Sequence, residues 1–124
     1  MAESTMTTDG AAVEDWVDLC GWDEVPVEGG KYVLVGRLGL AVFREDGVPR
    51  VMDNMCPHAG AALAGGWVQS GRVICPWHGW EFELKSGACP DAPSITVPVY
   101  EARLNEGRVQ IRLAQEAVHQ NARL

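Results

Sequence analysis

Two short runs constrain this chain more than anything else in it: Cys56-Pro57-His58 and Cys75-Pro76-Trp77-His78. Each puts a thiol and an imidazole on one short segment, and sixteen residues separate His58 from Cys75. Two such segments can close around a single inorganic centre. Gly60 and Gly79, just beyond the runs, would let backbone N–H groups approach it, and Pro57 and Pro76 would stiffen the loops. The bland alternative is chance spacing, and it requires both halves, both glycines and both prolines to coincide. The donor set suits two metals. Zinc takes two Cys and two His tetrahedrally, although zinc fingers group like ligands together. Alternation of Cys and His across two loops suits a binuclear iron–sulfur centre, one iron taking both thiolates and the other both imidazoles.

The rest of the chain is strand-like. Stretches 31–36 and 38–44 are rich in Val and Leu, Glu45-Asp46-Gly47 reads as a tight hairpin turn, and 48–53 returns as a strand. Residues 95–104 alternate through Ile95, Val97 and Val99. Asn105-Glu106-Gly107 turns, and Val109, Ile111 and Leu113 share one face of the return strand. Pro98 has no amide hydrogen for a ladder, which predicts an edge strand or a bulge. Between these hairpins, 55–94 holds three of the four cysteines, two of the three histidines and four of the seven prolines. Short strands are predicted within it at 72–74 and 81–84. The pattern predicts an all-β fold, a small antiparallel β-barrel or sandwich, with the Gly- and Pro-rich segment 55–94 inserted into it.

With 124 residues, 47% apolar and 22% charged, the chain amounts to one globular domain. That domain is expected over 14–113, with a flexible tail at 1–13 and a C-terminal tail at 114–124. No run approaches the ~20 apolar residues of a membrane span. The first residues carry neither a secretory signal nor a twin-arginine pair, so the expected compartment is the cytoplasm and no membrane contact is expected. The formal net charge is −7, and residues 1–30 carry eight acids with no Lys or Arg. Such a segment repels phosphate, which argues against nucleic acid as a partner. It offers a solvated surface or, through Glu14, Asp15, Asp18, Asp23 and Glu24, steering toward a basic protein.

The double motif resembles that of the Rieske iron–sulfur domain family. CPHAGAALAGG and CPWHGWEFELKSG look like the family's two cluster loops, and the likeness extends over 16–113. The resemblance implies one [2Fe–2S] cluster per chain, with Cys56 and Cys75 on one iron and His58 and His78 on the iron nearer the surface. It implies the family's all-β domain with a small cluster-binding subdomain. It also implies a proline-rich third loop covering the cluster, where Cys89-Pro90-Asp91-Ala92-Pro93 stands. The function implied is one-electron transfer, by a soluble ferredoxin that passes electrons from a reductase to a ring-hydroxylating oxygenase. The alternative is the small subunit of an assimilatory nitrite-reductase-like enzyme. A zinc-stapled interaction module is the reading outside redox chemistry. Respiratory and photosynthetic members carry a membrane anchor and bridge the loops with a disulfide where this chain has Ala61 and Trp77. High-potential members have a Ser and a Tyr whose hydroxyls bond to sulfur. Trp80 and Phe82 stand at those positions, which predicts a low potential.

A terminal oxygenase needs a second iron on two histidines and a carboxylate. With His58 and His78 assigned to the cluster, only His119 remains, so no catalytic residue is expected. No G-x-G-x-x-G run follows a strand, so a nicotinamide or flavin site is unsupported. Trp67 reads as core packing, and Trp77, between two ligands, as docking or loop packing. Cys20 and Cys89 read as inert thiols, with a mutual disulfide the lesser reading, and His119 as an exposed tail residue. Pro57, Ala61, Leu63, Pro76, Trp77 and Pro90 are expected to form an apolar contact surface of the small, transient kind used in electron transfer.

Overall fold

The structure, a computed structural model, describes residues 16–57, 60–77 and 79–112. His58, His78 and His119 lie outside the described residues, as do Glu14, Asp15 and the stretches 1–13 and 114–124. The described chain is built from eleven strands: β1 (Trp16–Gly21), β2 (Lys31–Val35), β3 (Leu38–Glu45), β4 (Val48–Asp53), β5 (Trp67–Gln69), β6 (Arg72–Ile74), β7 (Glu81–Glu83), β8 (Ala88–Cys89), β9 (Ala92–Thr96), β10 (Val99–Asn105) and β11 (Arg108–Arg112). Six of them form an antiparallel sheet in the order β1-β11-β10-β4-β3-β2. Its end strands, β1 and β2, approach one another, so the sheet nearly closes into a barrel. Between β4 and β10 the chain leaves the barrel and builds two smaller sheets, β5-β6-β7 and β8-β9. Among the described residues no helix is long and apolar enough to cross a membrane.

Local turn chemistry sets the hairpins. Asp46-Gly47, Ser70-Gly71 and Glu106-Gly107 all have two consecutive residues at positive φ, between +52° and +80°. That is the two-residue turn whose twist matches its flanking strands. Registers close on these pairs, with Glu45 opposite Val48, Gln69 opposite Arg72 and Asn105 opposite Arg108.

Three expectations need correction. Pro98 neither bulges a strand nor lies on an edge strand. It divides 95–104 into β9 and β10, and β10 lies inside the large sheet between β11 and β4. The alternation through Ile95, Val97 and Val99 breaks with it: Val97 is buried, while Val99 is 37% exposed. Strands β5 and β8 and the first residues of β9 fall where loop was expected, and Trp67 on β5 is 47% exposed, not core.

Strand β3 explains why 38–44 is apolar almost without interruption. Its Leu38, Leu40 and Val42 point into the barrel, packing with Cys20, Val25, Val51, Val109 and Ile111. Its Ala41 and Phe43 point the other way, into a second core with Met52, Cys56, Leu63, Cys75 and Phe82. A strand buried on both faces loses its polar–apolar alternation. The β3–β4 hairpin is thus a wall shared by barrel and inserted subdomain. Cys20 and Cys89 lie in different cores and all four cysteines are free, so no disulfide joins them.

Candidate metal centre

The first motif follows β4 and the second lies between β6 and β7, so both hang from short antiparallel strands beside the shared wall. In the first, Met55 bridges Ala62, the Cys56 N–H donates to the Ala61 carbonyl at 2.9 Å, and the Gly60 N–H donates to the Cys56 carbonyl at 2.7 Å. In the second, the Cys75 N–H donates to the Trp80 carbonyl at 2.7 Å. Each run is therefore a tight backbone loop pinned at its cysteine. Gly60 and Gly79 have φ of +71° and +73°, and a Cβ on either would meet open space. The left-handed turn, not crowding, is what requires glycine there. The Gly60 N–H is engaged by a carbonyl, so the amide that reaches sulfur is another one, the Trp77 N–H on the Cys75 thiol.

Both cysteines are fully buried and belong to one core. Their thiols meet without a disulfide, Cys56 lying within hydrogen-bonding contact of Cys75. Burial pushes the Cys75 thiol up from its ordinary value. The Trp77 N–H pulls it some of the way back, and the Cys56 thiol pushes it further up. The two soft donors share a core with Leu63 and Phe82, and burial there disfavours a free Cys75 thiolate. A metal cation between them reverses that balance, because a coordinating thiol is deprotonated outright. This pair of donors therefore fits a thiolate-ligated iron. Among the described residues no three Cys, His, Asp or Glu side chains converge, and the two motif histidines stand outside that set.

The surroundings are apolar and closed below. Phe82 is fully buried with its ring centroid 6.5 Å from that of Trp80, and it brings no donor to the cysteines. The third segment meets the second loop, and its ends form the β8–β9 hairpin. Cys89 is buried in the same core as Cys56 and Cys75. Cys89, Asp91 and Ala92 share a cavity of about 440 Å³ with Gly79, Trp80 and Glu81. Above, the surface differs from expectation. Ala61 and Leu63 are core residues at 7% and 0% exposure, whereas Pro57, Pro76, Trp77 and Pro90 are exposed. Met55, beside Cys56, is 67% exposed. Its place next to a motif cysteine was the available sign.

The acidic end is less bare than its composition implies. Arg108 donates to Asp18 and holds its carboxyl below the usual range. Glu24 accepts the Gly21 N–H, which lowers its carboxyl too, and lies 3.7 Å from Lys31.

The family model described as Rieske [2Fe-2S] domain matches residues 15–101. The anthranilate 1,2-dioxygenase ferredoxin subunit of Burkholderia cepacia is 32% identical over 105 residues, covering 83% of this chain and 96% of that one. The cholesterol 7-desaturase of Hemicentrotus pulcherrimus is 40% identical over 80 residues, which cover 63% of this chain and 17% of that protein. The chain thus spans under a fifth of that relative's length. Among solved structures, one described as the small subunit of an NADH-dependent nitrite reductase from Mycobacterium tuberculosis superposes with a TM-score of 0.75 at 33% identity. It covers 82% of this chain and 98% of that one.

Proposed function

The chain belongs to the Rieske [2Fe-2S] domain family, and from that premise we propose that it is a one-electron carrier whose cluster is held by Cys56, His58, Cys75 and His78. The observation that carries the reading is the buried, unbridged thiol pair of Cys56 and Cys75 at the base of two pinned loops. When bound, the cluster supplies a one-electron couple, which for centres of this type lies between roughly −150 and +300 mV. Cys56 and Cys75 bind one iron, and His58 and His78 bind the other. The Trp77 N–H stabilises negative charge on the Cys75 sulfur, and Leu63 and Phe82 keep water from it. Pro57, Pro76, Trp77 and Met55 present the apolar tip that a redox partner covers. A reducing cytoplasm, where thiols stay unbridged, suits this pair.

Single electrons pass from a reductase through this chain to a ring-hydroxylating oxygenase. The match to a dioxygenase ferredoxin subunit over 96% of that protein's length supports that role. The match to ferredoxin components supports a carrier over a catalytic subunit, and within these 124 residues only His119 is left once His58 and His78 hold the cluster. A second reading, small subunit of a nitrite-reductase-like enzyme, is favoured by the superposition on a protein of that description over 98% of its length. Co-purification with a large subunit distinguishes it from a free carrier.

Protein purified anaerobically is expected to carry two irons and two acid-labile sulfides per chain, and to give the low-average-g EPR signal of such a centre when reduced. His58→Ala or His78→Ala abolishes the signal, and His119→Ala leaves it unchanged. A colourless chain holding one zinc overturns the proposal in favour of a zinc-stapled module.

A further inference from the structure

The neck of the first motif is tied to a residue outside it. Asn54 lies one residue beyond β4 and two ahead of Cys56. All of its hydrogen-bonding groups for which a partner is seen reach other segments. Its N–H donates to the Gly39 carbonyl on β3 at 3.0 Å. Its own carbonyl accepts the Leu63 N–H at 2.6 Å. Its side-chain Oδ1 accepts the Ala64 N–H at 2.8 Å. Leu63 and Ala64 open the short 3-10 helix Leu63–Gly65, whose N-cap, Ala62, has no side chain able to cap it. The first N–H groups of any helix lack intrahelical acceptors. Here a side chain ten residues upstream supplies the missing cap.

The consequence concerns position. Segment 56–62 is fenced at its neck by the Met55–Ala62 bridge and then by both acceptors of Asn54. Leu63, fully buried beside Cys56, is held by the same residue. The Ala64 carbonyl in turn accepts the Gly30 N–H at 3.2 Å, and a Cβ at Gly30 would lie 2.8 Å from the Ala64 Cα, so this neck has no slack on its far side. We propose that Asn54 is a positioning residue for the metal centre, its side-chain carbonyl acting as a remote helix cap that fixes the neck of the first loop on β3. This rests on the carrier reading above.

The test compares Asn54→Ala and Asn54→Leu, which remove the acceptor, with Asn54→Asp, which keeps one. Losing the acceptor leaves a part-buried N–H without its partner, so cluster loss to an iron chelator should accelerate several-fold in the first two. Their EPR signal should broaden and their midpoint potential shift, while the Asp variant recovers wild-type line shape and release rate. Hydrogen exchange at the Ala64 amide should accelerate in the Ala and Leu variants, with exchange in the β10–β11 ladder unchanged. Wild-type release, line shape and exchange in Asn54→Ala overturn the proposal, as does an Asp variant that behaves like Ala. Wild-type chain purified without iron overturns the carrier reading instead, and exchange at Ala64 then still decides whether Asn54 caps the loop.

Discussion

Phe82 and Asp53 show how single side chains tune this domain. Phe82 is fully buried in the core that holds both motif cysteines, and it offers no hydrogen to a sulfur. Donors to cluster sulfur stabilise the added electron, so with no hydroxyl at this position the midpoint is expected toward the low end of the range, on the order of −150 mV. Phe82→Tyr should raise the midpoint measured by protein-film voltammetry; an unchanged or lower value refutes the assignment. Asp53 ends β4 and accepts the Tyr100 hydroxyl at 2.6 Å. Burial pushes its carboxyl up, and the Tyr100 hydrogen bond offsets only a fraction of that. Tyr100 is itself held far above its ordinary value by burial and by Asp53. A carboxyl whose folded pKa exceeds its unfolded one stabilises the fold at low pH. That contribution fades as pH rises from the unfolded pKa, about 3.9, through the folded one. Asp53→Asn keeps an acceptor for Tyr100 without the charge. Its stability advantage over wild type in denaturant titrations should therefore grow as pH is raised from about 3 through the folded pKa and then level off.

At the scale of elements, the hairpin turns carry the register. Gly47, Gly71 and Gly107 sit at φ near +80°, a conformation that costs an L-residue roughly 1–2 kcal/mol. The three differ in surroundings. A Cβ at Gly47 or Gly107 meets nothing within 4 Å, whereas one at Gly71 would lie 2.7 Å from Glu45 Oε2. That carboxylate is already engaged by Arg50 at 2.7 Å. Gly107→Ala should therefore cost only the backbone strain, about 1 kcal/mol. Gly71→Ala should cost visibly more, and thermal unfolding of the two variants ranks them. The same turns mark what could be read in advance. Asp46-Gly47 and Glu106-Gly107, flanked by Val-rich alternation, announce their hairpins. Ser70-Gly71 makes the same turn, yet its strands are three residues each and β5 opens on an exposed Trp67. A strand that short, carrying little alternation, owes its place to pairing with β6.

Taken whole, the molecule is two cores on either side of one hairpin. Phe43, on the subdomain side of β3, is fully buried and packs with Cys56 and Cys75 in one core, while Val109 belongs to the barrel. Phe43→Ala opens a cavity costing about 3–5 kcal/mol, and should release the cluster at temperatures where the barrel's β-sheet circular dichroism persists. Val109→Ala should lower the unfolding temperature of the barrel while visible absorbance stays intact until that transition. Simultaneous loss of both signals in both variants would mean the shared wall makes the domain a single cooperative unit.

The sequence by itself determined the pairing of Cys56 with Cys75, the all-β class, the barrel hairpins around β3–β4 and β10–β11, and the inserted segment, because ligand spacing, two-residue alternation and Gly turns are local. It could not say which apolar residues face out. Ala61 and Leu63 are core while Met55 and Trp67 are exposed, since burial depends on what another segment brings against each position. Nor could it say that Pro98 would separate β9 from β10, because Pro removes one donor but leaves the choice between bulge, edge and break to the partners on either side. The role of Asn54 was invisible for the same reason. An amide side chain before a cysteine carries no signal until folding brings the uncapped Ala64 N–H within 2.8 Å of it.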